Sequence, residues 1–71
     1  MNLGEQLKGL REQHNMSREK LAQKMIVSRQ TVFKWEKNKA YPTLDNLVKM
    51  SELYEITLDE LVKGERAFSK S

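Results

Sequence analysis

Apolar residues recur along this chain in short stretches at the three- and four-residue spacing of helices that bury one face. Leu3, Leu7 and Leu10 make the first stripe, and Leu21, Ala22 and Met25 the second. Val32 and Trp35 make the third. Leu44, Leu47, Val48, Leu53 and Tyr54 make the fourth, and Leu58, Leu61 and Val62 the fifth. Each stripe is preceded by a residue able to accept a bond from a free first-turn N–H: Asn2, Ser17, Ser28, Thr43 and Thr57. Glu5 and Glu60 stand three places after Asn2 and Thr57, the spacing of a capping box. Asn15, Asn38 and Gly64 suit the left-handed conformation that ends a helix, and Pro42 bars extension of the third. Gly4 and Gly9 weaken the first helix, by about 1 kcal/mol each relative to alanine. The pattern therefore predicts an all-α fold of five helices.

Only Met25, Ile26 and Val27 separate the second helix from the third. Two short helices joined so tightly cross steeply, as a helix-turn-helix. Such a turn favours a positive φ, for which glycine is best suited, yet Ile26 stands there. A β-branched residue at positive φ is strained, so either the turn takes another backbone path or stability is lost.

The third helix, 29–37, divides sharply when its residues are laid out at 100° per step. Thr31, Val32, Trp35 and Glu36 fall on one side; Arg29, Gln30, Phe33, Lys34 and Lys37 fall on the other. The second face holds three cations, an amide and an aromatic ring, and no acid. It is either a solvated face that happens to be basic or one that meets phosphates and base edges. Phe33 tilts the reading toward a partner, because a purely solvated face has little use for a phenyl ring.

Charge sharpens this picture. The 71 residues carry a net charge of +3. Residues 1–16 sum to zero, residues 17–41 to +5 and residues 42–71 to −2. Positive charge is thus concentrated around the second and third helices, where a polyanion would be met.

The composition narrows the function classes. With 38% hydrophobic and 32% charged residues, the chain reads as one small globular domain. It has no cysteine, so disulfides and thiolate metal sites are excluded. His14 is the single histidine, placed where it suits a helix C-terminus. No metal site, no cofactor and no enzymatic activity are expected, since the acids fall at caps and solvent faces and no phosphate-cradling glycine loop is present. No stretch approaches the ~18 apolar residues of a membrane span, and no signal-peptide pattern opens the chain. The expected location is the cytoplasm, without membrane contact.

From Ser17 to Val62, about two-thirds of the chain, the stretches SREKLAQKM, VSRQTVFKWEKNKAYP and TLDNLVKMSELYEITLDELV resemble the phage-repressor/Cro-like helix-turn-helix domains, the XRE family. The resemblance implies a compact five-helix lambda-repressor-like domain over residues 1–64, with a C-terminal tail at 65–71. It implies sequence-specific binding of double-stranded DNA, the third helix lying in the major groove. By position it points to Ser28, Arg29, Gln30 and Lys34 for base or groove contact, and Phe33, at the middle of the same exposed face, joins them as a candidate base contact. It points to Arg18, Lys37, Asn38 and Lys39 for phosphate contact, Arg18 standing where the family usually has Gln. It implies a structural ion pair between Arg11 and Glu36. Ile26 departs from the family's usual turn glycine. Phe33 stands where a small or polar residue is common, and is expected either to meet a thymine methyl or to fold back on the protein.

These features predict a DNA-binding transcriptional regulator, a repressor in the first instance, acting as a homodimer through the fourth and fifth helices and the tail. The alternative is an antitoxin-like or co-regulator module that also holds a protein partner. An exposed patch around Tyr54, Leu61 and Phe68 would favour that second reading.

Overall fold

The computed structural model describes residues 2–64, which form five helices: α1 (Leu3–Gln13), α2 (Arg18–Met25), α3 (Arg29–Glu36), α4 (Leu44–Tyr54) and α5 (Leu58–Lys63). Their starts obey local chemistry. Asn2, Ser17, Ser28, Thr43 and Thr57 are extended, and each side chain accepts a bond from the N–H three residues on. The capping box at Thr57 and Glu60 is complete. At Asn2 only the cap's own half forms, Asn2 Oδ1 accepting from Glu5 N at 2.8 Å.

The first four helices end alike. Asn15, Ile26, Asn38 and Glu55 each adopt a φ between 56° and 60°. In each case the next residue's N–H reaches back five positions, as Val27 N does to Ala22 O at 3.0 Å. This is the Schellman turn, which satisfies helix-end carbonyls at the expense of one left-handed residue. Gly64 takes the same sign of φ, 76°, after α5. The α2–α3 turn therefore keeps the regular path despite its sequence. Ile26 sits at φ 58°, ψ 49°, with its side chain 82% exposed. For a β-branched residue this conformation stores strain of order 1–2 kcal/mol.

Leu7 and Leu10 of α1, Leu21, Ala22 and Met25 of α2, and Val32 and Trp35 of α3 meet Met50, Tyr54 and Leu61 in a single core. Helix α3 packs against both α1 and α2, while α4 pairs with α5 and α5 with α1. Three inward expectations fail. Leu44 is 65% exposed, Val48 39% and Val62 44%, and Met50 takes the buried place on α4. Helix α4 carries apolar residues around more of its circumference than it buries, so periodicity alone does not select the inner face. Tyr54 and Leu61 are buried, so they form no surface patch; Phe68 lies outside the described residues.

Candidate nucleic-acid interface

Helix α3 presents Arg29, Gln30, Phe33 and Lys34 to solvent and buries Val32, Trp35 and Glu36. The division follows the wheel drawn from the sequence, and Lys37, the cap residue just after the helix, extends the outer row. Ser28 begins the helix: its Oγ accepts from Thr31 N at 3.0 Å and lies 2.8 Å from Thr31 Oγ1. The Ser28 hydroxyl is thus largely committed to the cap, at the helix end whose N–H groups and dipole favour an anion.

What holds this face in place is a carboxylate behind it. The Glu36 side chain is 2% exposed. Arg11 Nε donates to Glu36 Oε2 at 2.6 Å, and Arg11 Nη2 to Oε1 at 3.3 Å. The remaining edge of the Arg11 guanidinium donates from Nη1 to Met16 O at 2.8 Å. This hydrogen bonding to Glu36, opposed by desolvation, raises Arg11 above its ordinary pKa. A buried ion is tolerable only with its partners in good geometry, and here both are multiply bonded. The pair ties α1 to the end of α3.

Arg18 joins the same carboxylate, its Nε donating to Glu36 Oε1 at 3.1 Å. Its side chain is 35% exposed at the first position of α2, and its Cζ lies 5.3 Å from the centroid of the Phe33 ring. Lys37 Nζ approaches that ring at 5.7 Å. The loop after α3 is fixed from the other side, where Asn38 Oδ1 accepts from Gly4 N at 2.9 Å. Lys37, Asn38 and Lys39 are exposed, and Tyr41 projects into solvent.

The structure thus brings Arg29, Gln30, Phe33 and Lys34, expected from the sequence to contact bases, onto one helix face, and ties two residues expected to meet phosphates, Arg18 and Asn38, to the scaffold. Sequence reasoning missed both tethers. A signal existed for Arg18, which follows a helix cap and would lie beside Glu36 in a steep helix crossing. Nothing in the sequence pairs Gly4 with Asn38, because the contact spans 34 positions.

A groove of about 600 Å³ opens elsewhere, between α1 and the α4–α5 end. Glu5, Glu55 and Glu60 line it beside His14 and Tyr54, which makes it unsuited to a polyanion. His14 Nδ1 lies 2.9 Å from Leu10 O, and its ring packs against Tyr54 with 4.6 Å between centroids. Burial, and secondarily the Glu36 charge, push the Tyr54 hydroxyl up to about 12. Among the described residues no cluster of His, Asp and Glu could hold a metal ion, and no helix is long and apolar enough to cross a membrane.

A short helix crossing α2 through a tight turn, with a basic outer face and a core-anchored inner one, is the arrangement of a helix-turn-helix. The family model described as Helix-turn-helix matches residues 7–61. The chain belongs to the XRE-type helix-turn-helix family. It is 40% identical over 65 residues to the HTH-type transcriptional activator BcrR of Enterococcus faecalis, covering 92% of this chain and 32% of that one. It is 33% identical over 61 residues to the cryptic phage CTXphi transcriptional repressor RstR of Vibrio cholerae, covering 86% and 54%. An uncharacterized HTH-type transcriptional regulator of Methanocaldococcus jannaschii, MJ0272, is 36% identical over 55 residues, which cover 78% of this chain and 83% of that protein. The chain spans from about a third to about three-fifths of the length of the first curated relatives it matches. Among solved structures, the P22 c2 repressor protein in complex with a synthetic operator superposes with a TM-score of 0.83 at 25% identity, over 92% of this chain and 98% of that one.

Proposed function

We propose that this chain is the DNA-binding part of a transcription regulator and reads duplex DNA with the outer face of α3 in the major groove. The observation that carries the reading is that Arg29, Gln30 and Lys34 stand exposed on one acid-free helix face whose back is locked into the core through Glu36. Arg29 suits the paired acceptors of guanine and Gln30 the donor–acceptor pair of adenine, with Ser28 and Lys34 at the margins of the face. Arg18, Lys37, Asn38 and Lys39 fix the register on phosphates. The operator-bound repressor that shares the fold and the transcription regulators among the relatives support this assignment. Relatives include a named activator and a named repressor, and this chain acts in the first instance as a repressor. The protein acts in the cytoplasm, where bacterial or phage operators lie.

Self-association is part of the proposal. Leu44 and Val48, one turn apart on α4, are apolar and face solvent, which favours a second copy there over a solvated helix face. A symmetric dimer would place its reading helices about 34 Å apart, one turn of DNA. Selection of bound duplexes from a random pool at near-physiological salt tests both parts. An enriched inverted repeat with that spacing is the expected result. A single enriched half-site would remove the dimer. Binding without enrichment, lost as salt rises, would remove sequence reading and leave counterion release alone; the protein-partner reading would then stand in its place.

A further inference from the structure

Phe33 sits where a base reader would, on the outer face of α3, yet it is only 38% exposed. Two cations close on its ring, Arg18 Cζ at 5.3 Å and Lys37 Nζ at 5.7 Å from the centroid, both inside the ~6 Å reach of a cation–π contact. They come from different elements: Arg18 opens α2, and Lys37 closes α3. Arg18 is held a second time, through its Nε to Glu36 Oε1. One N–H of five is spent there; among the described residues its two Nη groups make no hydrogen bond. The guanidinium is thus held over the ring and by its Nε edge, with both Nη groups left for another acceptor.

We propose that Phe33 is a positioning residue for the DNA backbone: its ring pre-orients Arg18 and Lys37 as a paired phosphate clamp spanning both helices of the helix-turn-helix, and it reads no base. The proposal rests on the DNA-binding reading above. Free lysine and arginine side chains lose rotamer freedom on meeting a phosphate, and a ring that orders them beforehand removes part of that loss. The clamp serves every sequence equally, since phosphates carry no base identity.

The test uses the whole chain with Phe33→Leu, Phe33→Tyr, Arg18→Ala and the Phe33→Leu/Arg18→Ala pair. Probes are a 20-bp duplex taken from the random-pool selection, a scrambled duplex, and the selected duplex with each thymidine in turn replaced by deoxyuridine. Circular dichroism and thermal midpoints confirm folding, and the ¹⁵N-edited spectrum reports the Arg18 Nε–H directly. Phe33→Leu is expected to shift the Arg18 Nε–H signal and to weaken binding about five- to tenfold on selected and scrambled duplexes alike. The slope of log K against log salt is expected to fall by about one unit. Phe33→Tyr keeps the ring and is expected to bind as the wild type. Arg18→Ala is expected to cost less in the Phe33→Leu background than alone, because the two act as one unit. A loss confined to the selected duplex, and cancelled by removing one thymine methyl, would overturn the proposal and make Phe33 a base reader. Unchanged binding by Phe33→Leu would overturn it as well. Failure of the wild type to bind any duplex would overturn the DNA reading itself and the clamp's role with it.

Discussion

The backbone N–H of Gly4 donates to Asn38 Oδ1 at 2.9 Å, joining the first turn of α1 to the loop that follows α3. A helix start leaves its first N–H groups without partners, and here one is satisfied from across the fold. The approach is close. A Cβ on Gly4 would lie 2.4 Å from Glu36 O, whereas a Cβ on Gly9 would meet nothing within 4 Å. Two glycines of one helix therefore answer oppositely to alanine. Gly4→Ala is expected to destabilise by about 1–3 kcal/mol through overpacking against backbone. Gly9→Ala is expected to stabilise by about 0.5–1 kcal/mol, because the unfolded chain loses freedom. Urea denaturation of both variants decides; stabilisation by both would show that α1 can shift away from Asn38.

Ile26 offers a gain of a different origin. It holds a left-handed conformation with its side chain in solvent, so little packing is at stake. Ile26→Gly is expected to raise stability by about 1 kcal/mol, the relief of strain outweighing the added freedom of the unfolded chain. A fall in the thermal midpoint would mean that the side chain contributes packing its exposure does not suggest.

Glu36→Gln keeps the shape and removes the charge. It leaves the Arg11 guanidinium buried without its counter-ion and strips Arg18 of its anchor. Breaking a buried pair from one side costs about 3–5 kcal/mol. A single core in a domain of this size supplies roughly the same amount. The variant is expected to be largely unfolded at room temperature by circular dichroism, and a cooperative melt close to the wild type would refute the anchoring role.

Tyr54 predicts an alkaline limit. Its hydroxyl is buried with no hydrogen-bond partner among the described residues. The folded state holds the proton up to about pH 12, against an ordinary value of 10.0. The unfolded state therefore releases it first as pH rises. The Tyr54 contribution is fully present below pH 10 and is lost between about pH 10 and 12, amounting to about 2–3 kcal/mol. Tyr54→Phe is expected to fold as well as the wild type at neutral pH and to lack that part of the alkaline decline. Parallel curves for the two proteins above pH 10 would refute it.

Arg29→Ala tests the reading itself. If Arg29 contacts guanine, its loss costs about 1–3 kcal/mol and relaxes preference at one base pair in a repeated selection. Equal loss on all duplexes would reassign Arg29 to phosphate.

Much of this was legible in the sequence. Ser17, Ser28, Thr43 and Thr57 announce helix starts by chemistry confined to four residues, and the α3 wheel separates Trp35 and Glu36 from Arg29 and Lys34 without reference to the rest of the fold. The failures share a cause. Which side of α4 is buried depends on where α2 and α5 press, so Met50 displaces Leu44 and Val48 for reasons outside α4. The Gly4–Asn38 bond and the Arg18 tether are likewise products of tertiary approach, invisible to any local window.

The shared Glu36 carboxylate has an evolutionary corollary. Val32, Trp35 and the two arginines bound to Glu36 dock α3, whereas Arg29, Gln30 and Lys34 on its outer face take no part in that docking. Arg29, Gln30 and Lys34 are thus interchangeable letters on a fixed carrier. Under the proposed reading, drift at those three positions would retarget the protein to a new operator without passing through an unstable intermediate.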